Sequence, residues 1–471
     1  MPSDPIPIPS NDDQDIGRFE SGRAVARDRF IKLTRQAASY GDAFAQQIVH
    51  DLVEGRVRPS PKSIPPIAIS CKASVAEGIA VRRLGDQTSF AAANGFDSEA
   101  ARSLVEHLDR MPGTQLTVAP SHGSRAASDE ISEGGIAYLR SLIDCILSGV
   151  DHCRLVKARI STFSDRRSLI NTVGHDATSH SLRSELQVRV ETDTMVATFT
   201  WVDWGSPGPP SVDPTAVVRQ FQRRFDLSAL PTVDIPDRAA LLLPPGWGGI
   251  WMHEAVGHLL EADTALTAPA RMPELVGSRV SSEEVNILDD GTLDPARVAG
   301  GFDDEGVATS STALIEHGVV VGLLTDRSTA LRSGFPVTGN GRRPHFGLPP
   351  KPRMTNLLMR PGKLSREDLL SPAGPLIVVD TMRHAWLDAN DYQMHLDIED
   401  AMLMLSGEPA GRVGHIIASA DPMQLLRSVG GVASDFAIDL HRGYCLKDGA
   451  AVPVTVGQPS VLISDVAVRP S

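Results

Sequence analysis

Apolar side chains between residues 16 and 53 recur at helical spacing (Phe30, Leu33, Ala37, Ala43, Ile48, Leu52), which predicts helices broken at Gly41. The period then shortens. Alternation over 74–83, the turn Gly85-Asp86 and the run 88–93 predict a hairpin. Asp97 or Ser98 can cap a helix through Leu104 and Leu108, and a second helix is predicted over 130–147. Strand-like runs follow at 153–161, 168–173, 182–191 and 195–201, before Asp213-Pro214 opens a helix through Phe225. Composition shifts at 230–236. Beyond that point come short β-runs (284–288, 319–324, 376–379, 394–405, 454–463) punctuated by Gly and Pro, with one helix over 421–429. No fixed-period repeat is visible. The expected class is α+β. It comprises a flexible start (1–16), an N-terminal α/β sandwich-type domain (17–230, divisible into 17–115 and 116–230), and a C-terminal β-rich domain (231–471). The last is expected as a curved antiparallel sheet carrying one chemically loaded helix.

That helix is entered through a breaker cluster, Pro244-Pro245-Gly246-Trp247-Gly248-Gly249, which follows the apolar run 239–243. Ile250-Trp251-Met252 leads into His253-Glu254-Ala255-Val256-Gly257-His258, and Leu259-Leu260 leads out. Apolar flanks predict burial, where an unpaired polar cluster is costly and a metal ion would supply the missing partner. The spacing departs from the HExxH zinc helix, whose histidines sit four apart on one face. Five apart, at ~100° per residue, they fall roughly 140° out of line on a regular helix. One wide π-type turn restores the shared face, and such bulges occur mainly at functional sites. The segment is therefore either a bulged helix that binds metal or an ordinary helix with two unrelated histidines.

These residues resemble the TldD/PmbA family of metallopeptidases, on its metal-bearing TldD side. The family block His-Glu-Ala-Val-Gly-His, then Gly-Leu-Glu-Gly-Asp, is matched by 253–258 and by Leu259-Leu260-Glu261-Ala262-Asp263. Further matches follow in family order: Asp289-Asp290-Gly291, Phe302-Asp303-Asp304-Glu305-Gly306, Pro352-Arg353-Met354-Thr355-Asn356, Cys445-Leu446-Lys447-Asp448-Gly449 and Gly457-Gln458-Pro459. The resemblance implies a zinc ion held by His253, His258 and Cys445, with Glu254 as general base toward the bound water. Three protein ligands leave a fourth position open, as in catalytic zinc sites. Iron is the alternative metal, since imidazole and thiolate accept both. From the residues alone, Glu261 stands level with Cys445 as third donor; the resemblance favours Cys445. It further implies unfolded or leader-type peptide substrates in an enclosed cleft. The implied assembly is a heterodimer with a metal-free TldE/PmbA-like subunit, or a homodimer. Arg353 and Asn356 match a block near the cleft and are candidates for substrate binding.

Composition narrows the surroundings. With 41% hydrophobic and 22% charged residues the chain is an ordinary globular one. A net charge of −13 argues against a nucleic-acid partner. Four scattered cysteines suggest a reducing compartment. No secretory pattern or membrane-length apolar run appears, so a cytoplasmic location without membrane contact is expected. Departures from the family pattern (Leu259, Ala262, Leu446, Ala450 and Arg383-His384-Ala385) affect the expected cleft walls. Leu446 and Arg383-His384-Ala385 keep open a metal-dependent maturase of a modified peptide; the other rival reading is a non-catalytic peptide-binding subunit whose metal is structural. Other features read as background. Gly334, Gly339 and Gly341 with Arg342-Arg343 suit a mobile polar loop, and Asp303-Asp304-Glu305 a solvated acidic turn. His345, His384 and His395 suit hydrogen-bonded or surface histidines.

Overall fold

The computed structural model describes residues 17–24, 27, 40–59, 66–84, 88–96, 103–104, 106, 108, 113, 115–125 and 129–471, less 206–207, 268–274, 294–300, 371–373, 389–391 and 442. The expected flexible start at 1–16, and Phe30, Leu33 and Ala37, lie outside the described residues. The chain forms two compact units. One comprises 1–218, 302–307 and 342–350; the other comprises 219–301, 308–341 and 351–471. The backbone is mixed α+β with sheet predominating. Among the described residues no helix is long and apolar enough to cross a membrane.

The first unit is built on an eight-stranded sheet. Its strands are β1 (Gly41–Val57), β2 (Ala68–Arg83), β3 (Ser89–Asn94), β4 (Gln115–Leu116), β5 (His122–Arg125), β6 (Leu155–Asn171), β7 (Asp176–Glu191) and β8 (Val196–Trp204). Their order is β4-β3-β2-β1-β6-β7-β8, with β5 added to β2. β1 is paired along its length by β2 and β6. This corrects the helix expected over that stretch. Alternate positions Ala43, Ala45, Gln47, Val49, Asp51, Val53, Gly55 and Val57 are all buried. The two-residue period was present, but Gln47, Asp51 and Gly55 broke its apolar reading. Gly55 is there for clearance: a Cβ would come 3.0 Å from Ile143 of the helix Asp129–Gly149, which lies on this face. The β2–β3 hairpin and both later helices, Asp129–Gly149 and Pro214–Ala229, form as expected. The runs 153–161 and 168–173 merge into the single strand β6, whose middle, Ser164-Asp165-Arg166-Arg167, is polar and hid its continuity.

The acidic turn is a second correction. Asp303, Asp304 and Glu305 are buried, not solvated. Within the first unit Arg82 pairs with Glu305 (2.6 Å) and Asp42 (2.5 Å), while Arg167 pairs with Asp304 (2.7 Å). Arg343 donates its backbone N–H to Asp304 (2.8 Å) and stacks over Phe44, so it forms part of this buried cluster and not of the mobile polar loop expected. Burial opposes the charge on Arg82, yet the two carboxylates raise its pKa well above the usual value.

The second unit has two main sheets. One runs Leu376–Leu387, Arg238–Leu243, Val461–Pro470, Ile416–Ala420, Met394–Leu405, Glu408–Val413, with Val429–Val432 added to Val461–Pro470. Leu376–Leu387 also pairs with Met394–Leu405, so the sheet closes on itself. Register shifts between Val379 and His384 mark bulges, which supply the extra bend. The expected purely antiparallel sheet is corrected: Leu376–Leu387 runs parallel to Arg238–Leu243, and in the six-stranded sheet Asn356–Met359 runs parallel to Thr455–Gln458. Arg238–Leu243 is an unbroken apolar run because it is flanked on both sides and buried from its second residue onward. The largest core holds Leu241, Leu243, Ile377, Met394 and Leu396 together with Trp251, Met252, Ala255, Val256 and Leu259 of the motif segment.

The buried ion cluster generates a stability prediction. Arg82→Ala removes the cation paired with Glu305 and leaves Asp42 with Arg343 at 3.7 Å, and should cost about 3–5 kcal/mol. Chemical denaturation of the two proteins measures it; a loss below 1 kcal/mol would show the cluster behaving like a surface pair.

Candidate metal centre

The motif segment is positioned from both ends. Strand Arg238–Leu243 delivers the chain to Pro244-Pro245, and Gly246 turns it in the left-handed region (φ +71). Gln458 then brackets the entry: it accepts from the Trp251 indole N–H (3.0 Å) and donates to the Pro244 carbonyl (3.0 Å). Ile250–Met252 is regular helix, His253–Gly257 is π-helix, and His258–Leu260 is 3-10. The decisive bond is the His258 backbone N–H donating to the His253 carbonyl, a five-residue step. It carries the second imidazole onto the face of the first. Their ring centroids lie 4.9 Å apart with planes at 90°. Of the two conformations left open by the spacing, the bulged helix is the one formed. Gly257 permits the bulge to be buried: a Cβ there would meet Met354 Sδ at 2.0 Å and Leu357 Cδ2 at 3.2 Å.

Cys445 reaches this face from the hairpin Tyr444–Lys447/Ala450–Pro453. His253, His258 and Cys445 offer donor atoms that all lie within 4.8 Å of one another, a group able to hold a metal ion. The sulfur is 3.2 Å from His258 Nε2. Burial alone would push the thiol up, but the imidazoles of His253 and His258 bring it down to about 5. The sulfur is thus a thiolate at neutral pH, the form a metal requires. Two imidazoles and a thiolate match the donor set of zinc, with room for a fourth ligand. Glu254, the residue after the first histidine, is mostly buried; burial raises its pKa, against the opposing pull of His253 and His258.

Glu261 takes a different part from the one open to it as third donor. The chain leaves the helix there in an extended conformation (φ −70, ψ 122). Its carboxylate faces His258 Nδ1 (2.9 Å) and Lys447 Nζ (2.7 Å), on the far side of the ring from the sulfur. Burial would raise its pKa, but His258 and Lys447 hold it down at about 2. Arg353 and Asn356, expected to bind substrate, are both buried and engaged within the protein. Arg353 donates to the Cys445 carbonyl (2.8 Å) and lies 3.1 Å from its sulfur; Asn356 donates to the Asp290 carbonyl (2.6 Å). His384 and His395 do not join the three-donor group: His384 stacks on Trp386 (4.9 Å) and His395 pairs with Ser419 (2.8 Å). His345 belongs to the first unit, where it accepts from the Gly347 N–H (3.1 Å). Sequence reasoning assigned no role to Lys447, Asp263, Met354 or Gln458. The available signal for Lys447 was its position two residues after Cys445, on the same side of a strand.

A buried, bulged histidine helix and a cysteine distant in sequence thus present three donor atoms able to hold a metal ion. Residues 236–470 match the PmbA/TldA metallopeptidase C-terminal domain. Through this domain the chain belongs to the PmbA/TldD family. It is 32% identical over 228 residues to a metalloprotease TldD homolog of Buchnera aphidicola, covering 48% of this chain and 47% of the relative. It is 28% identical over 229 residues to a zinc metalloprotease TldD homolog of Saccharolobus solfataricus, covering 48% and 51%. In both cases the match spans about half the relative's length. The fold is similar to the crystal structure of TldE from Thermococcus kodakarensis, with a TM-score of 0.65 and 15% identity over 94% of this chain and 99% of that one.

Two outcomes follow from this geometry. Gly257→Ala forces Met354 and Leu357 aside and should destabilise the protein by about 1–3 kcal/mol in denaturant unfolding; an unchanged midpoint would show that the bulge tolerates a side chain. In the metal-free protein, the ultraviolet thiolate signal lost on Cys445→Ser should titrate with a midpoint at about 5, the thiolate disappearing as pH falls through it. A midpoint at the ordinary value of 9.0 would mean that the imidazoles do not stabilise the anion.

Proposed function

We propose that this chain is a zinc-dependent peptidase of HExxxH type, with His253, His258 and Cys445 as metal ligands and Glu254 as general base. The observation that carries the reading is the convergence of two imidazoles and one thiolate within 4.8 Å, with a carboxylate beside the first imidazole in sequence. Zinc is favoured by the donor set and by the printed name of the Saccharolobus relative. When bound there, the ion supplies Lewis acidity toward a water and the peptide carbonyl it attacks. The remaining steps belong to side chains of the protein. Glu254 accepts a proton from the attacking water and returns it to the departing amine. Its burial makes it a stronger base than an exposed carboxylate, and places the loss of its active form at a higher pH on acidification.

The substrates proposed are unfolded or leader-type peptides bound in extended form, where main-chain hydrogen bonds give affinity with little sequence preference. The proposed assembly pairs this chain with a TldE/PmbA-like subunit. Support for that pairing comes from family membership and from the fold shared with TldE. A cytoplasmic setting fits the scattered unpaired cysteines.

Glu254→Gln keeps the size and hydrogen-bonding capacity of the side chain but not its basicity. It should retain stoichiometric zinc and lower peptide hydrolysis by about 10²–10⁴-fold. Mass spectrometry of an unfolded peptide incubated with the chain and its TldE-type partner gives the rate, and metal analysis gives the occupancy. Undiminished turnover would remove Glu254 from the mechanism. Turnover that survives full chelation would favour the reading in which the metal is structural.

A further inference from the structure

Lys447 is a cation that no step of hydrolysis uses, yet it closes a ring of contacts around the metal site. Cys445 Sγ faces His258 Nε2 (3.2 Å), His258 Nδ1 meets Glu261 Oε2 (2.9 Å), and Glu261 Oε2 meets Lys447 Nζ (2.7 Å). Lys447 returns the circuit to Cys445 through two residues of extended chain, so both side chains project from the same side of one strand. Asp263 accepts a second hydrogen bond from the same ammonium (2.7 Å). Glu261 itself is fully buried. A carboxylate so placed demands cationic partners: Lys447 (2.7 Å) and His258 (2.9 Å) share one oxygen, while the other accepts from the Met354 N–H (3.2 Å) with Arg353 Nε at 3.9 Å.

Tyr444–Lys447 and Ala450–Pro453 form a two-stranded sheet that pairs with no further strand among the described residues. Its outward side chains Tyr444 and Leu446 are exposed. The Lys351–Asp448 pair at its tip is exposed as well, and such pairs contribute little. It is held inward by Val452, which is fully buried in the main core, by Arg353, which donates to the Cys445 and Ala450 carbonyls, and by the inward pair Cys445 and Lys447.

We propose that Lys447, acting through Glu261, is a positioning residue that seats the Cys445 thiolate for the ion. The inference rests on the metallopeptidase reading to the extent that an ion binds His253, His258 and Cys445. Glu261 accepts the Nδ1 proton of His258, which leaves Nε2 as the donor turned toward the sulfur. A carboxylate behind a histidine ligand fixes ring and tautomer in this way. Lys447 anchors that carboxylate to the very strand that delivers the sulfur. The two halves of the donor set, nearly two hundred residues apart in sequence, therefore share one electrostatic clasp outside the metal's own shell.

Cobalt(II) is the probe, because a sulfur-to-cobalt charge-transfer band reports thiolate ligation separately from imidazole ligation. Wild-type protein should show that band, and Cys445→Ser should lack it. Lys447→Met should lower cobalt and zinc affinity by about 10–100-fold against a competing chelator. It should also weaken the sulfur band at cobalt concentrations that still fill the imidazole pair. Lys447→Arg, which keeps the cation, should restore both. Should Lys447→Met fail to fold, Glu261→Gln carries the same expectation, since it preserves shape and removes the charge that Lys447 answers. Wild-type affinity and band intensity in Lys447→Met, or in Glu261→Gln, overturn the proposal. A wild-type protein that takes up neither cobalt nor zinc removes the metallopeptidase reading along with it, a result distinct from normal uptake with indifferent variants.

Discussion

One backbone hydrogen bond, from the His258 N–H to the His253 carbonyl, brings the two imidazoles of the motif onto one face. A regular helix would bond His258 to the preceding turn and point its ring away from His253. The wide turn adds one residue to the circuit and sets the rings 4.9 Å apart. Such a turn leaves poorer backbone geometry and persists only where its surroundings hold it in place. Here they do. Trp251, Met252, Ala255, Val256 and Leu259 are buried in the largest core, and Met354 fills the space that a side chain at Gly257 would need.

The second constraint is electrostatic. The site concentrates charge inside the protein: Glu254 and Cys445 beside the two imidazoles, Glu261 behind one of them, Lys447 and Arg353 at the margin. Left unpaired, each would face a large desolvation cost. The arrangement alternates in sign instead, thiolate to imidazole to carboxylate to ammonium. Burial by itself would neutralise the thiol, and it is the neighbouring imidazoles that hold it ionised.

The readability of the chain followed the same physics. Local features were legible: the β2–β3 hairpin, the helices Asp129–Gly149 and Pro214–Ala229, and the histidine helix with its two allowed conformations. Features set by long-range pairing were misread. β1 looked helical because Gln47, Asp51 and Gly55 occupy buried positions that a strand pattern reserves for apolar groups. The acidic turn looked solvated because its partners Arg82 and Arg167 lie more than a hundred residues away. The closure of the second unit's sheet rests on bulges between Val379 and His384, which no local signal marks. Arg353 and Asn356, the candidates for substrate binding, are buried and donate to the carbonyls of Cys445 and Asp290.

Lys447 shows where such reasoning stops. Two residues past a cysteine, in a hairpin, a lysine reads as a solvated strand residue. It becomes informative only when Glu261 is seen leaving the helix in an extended conformation, so that its carboxylate turns behind His258 and not toward the ion. With the helix ended at Leu260, the Glu261 carboxylate lies beside Nδ1 of His258 and outside the three-donor group. The carboxylate, freed from ligation, becomes the link by which the hairpin and the helix sense each other's position. In the proposed arrangement Lys447 acts on the three-donor group without belonging to it.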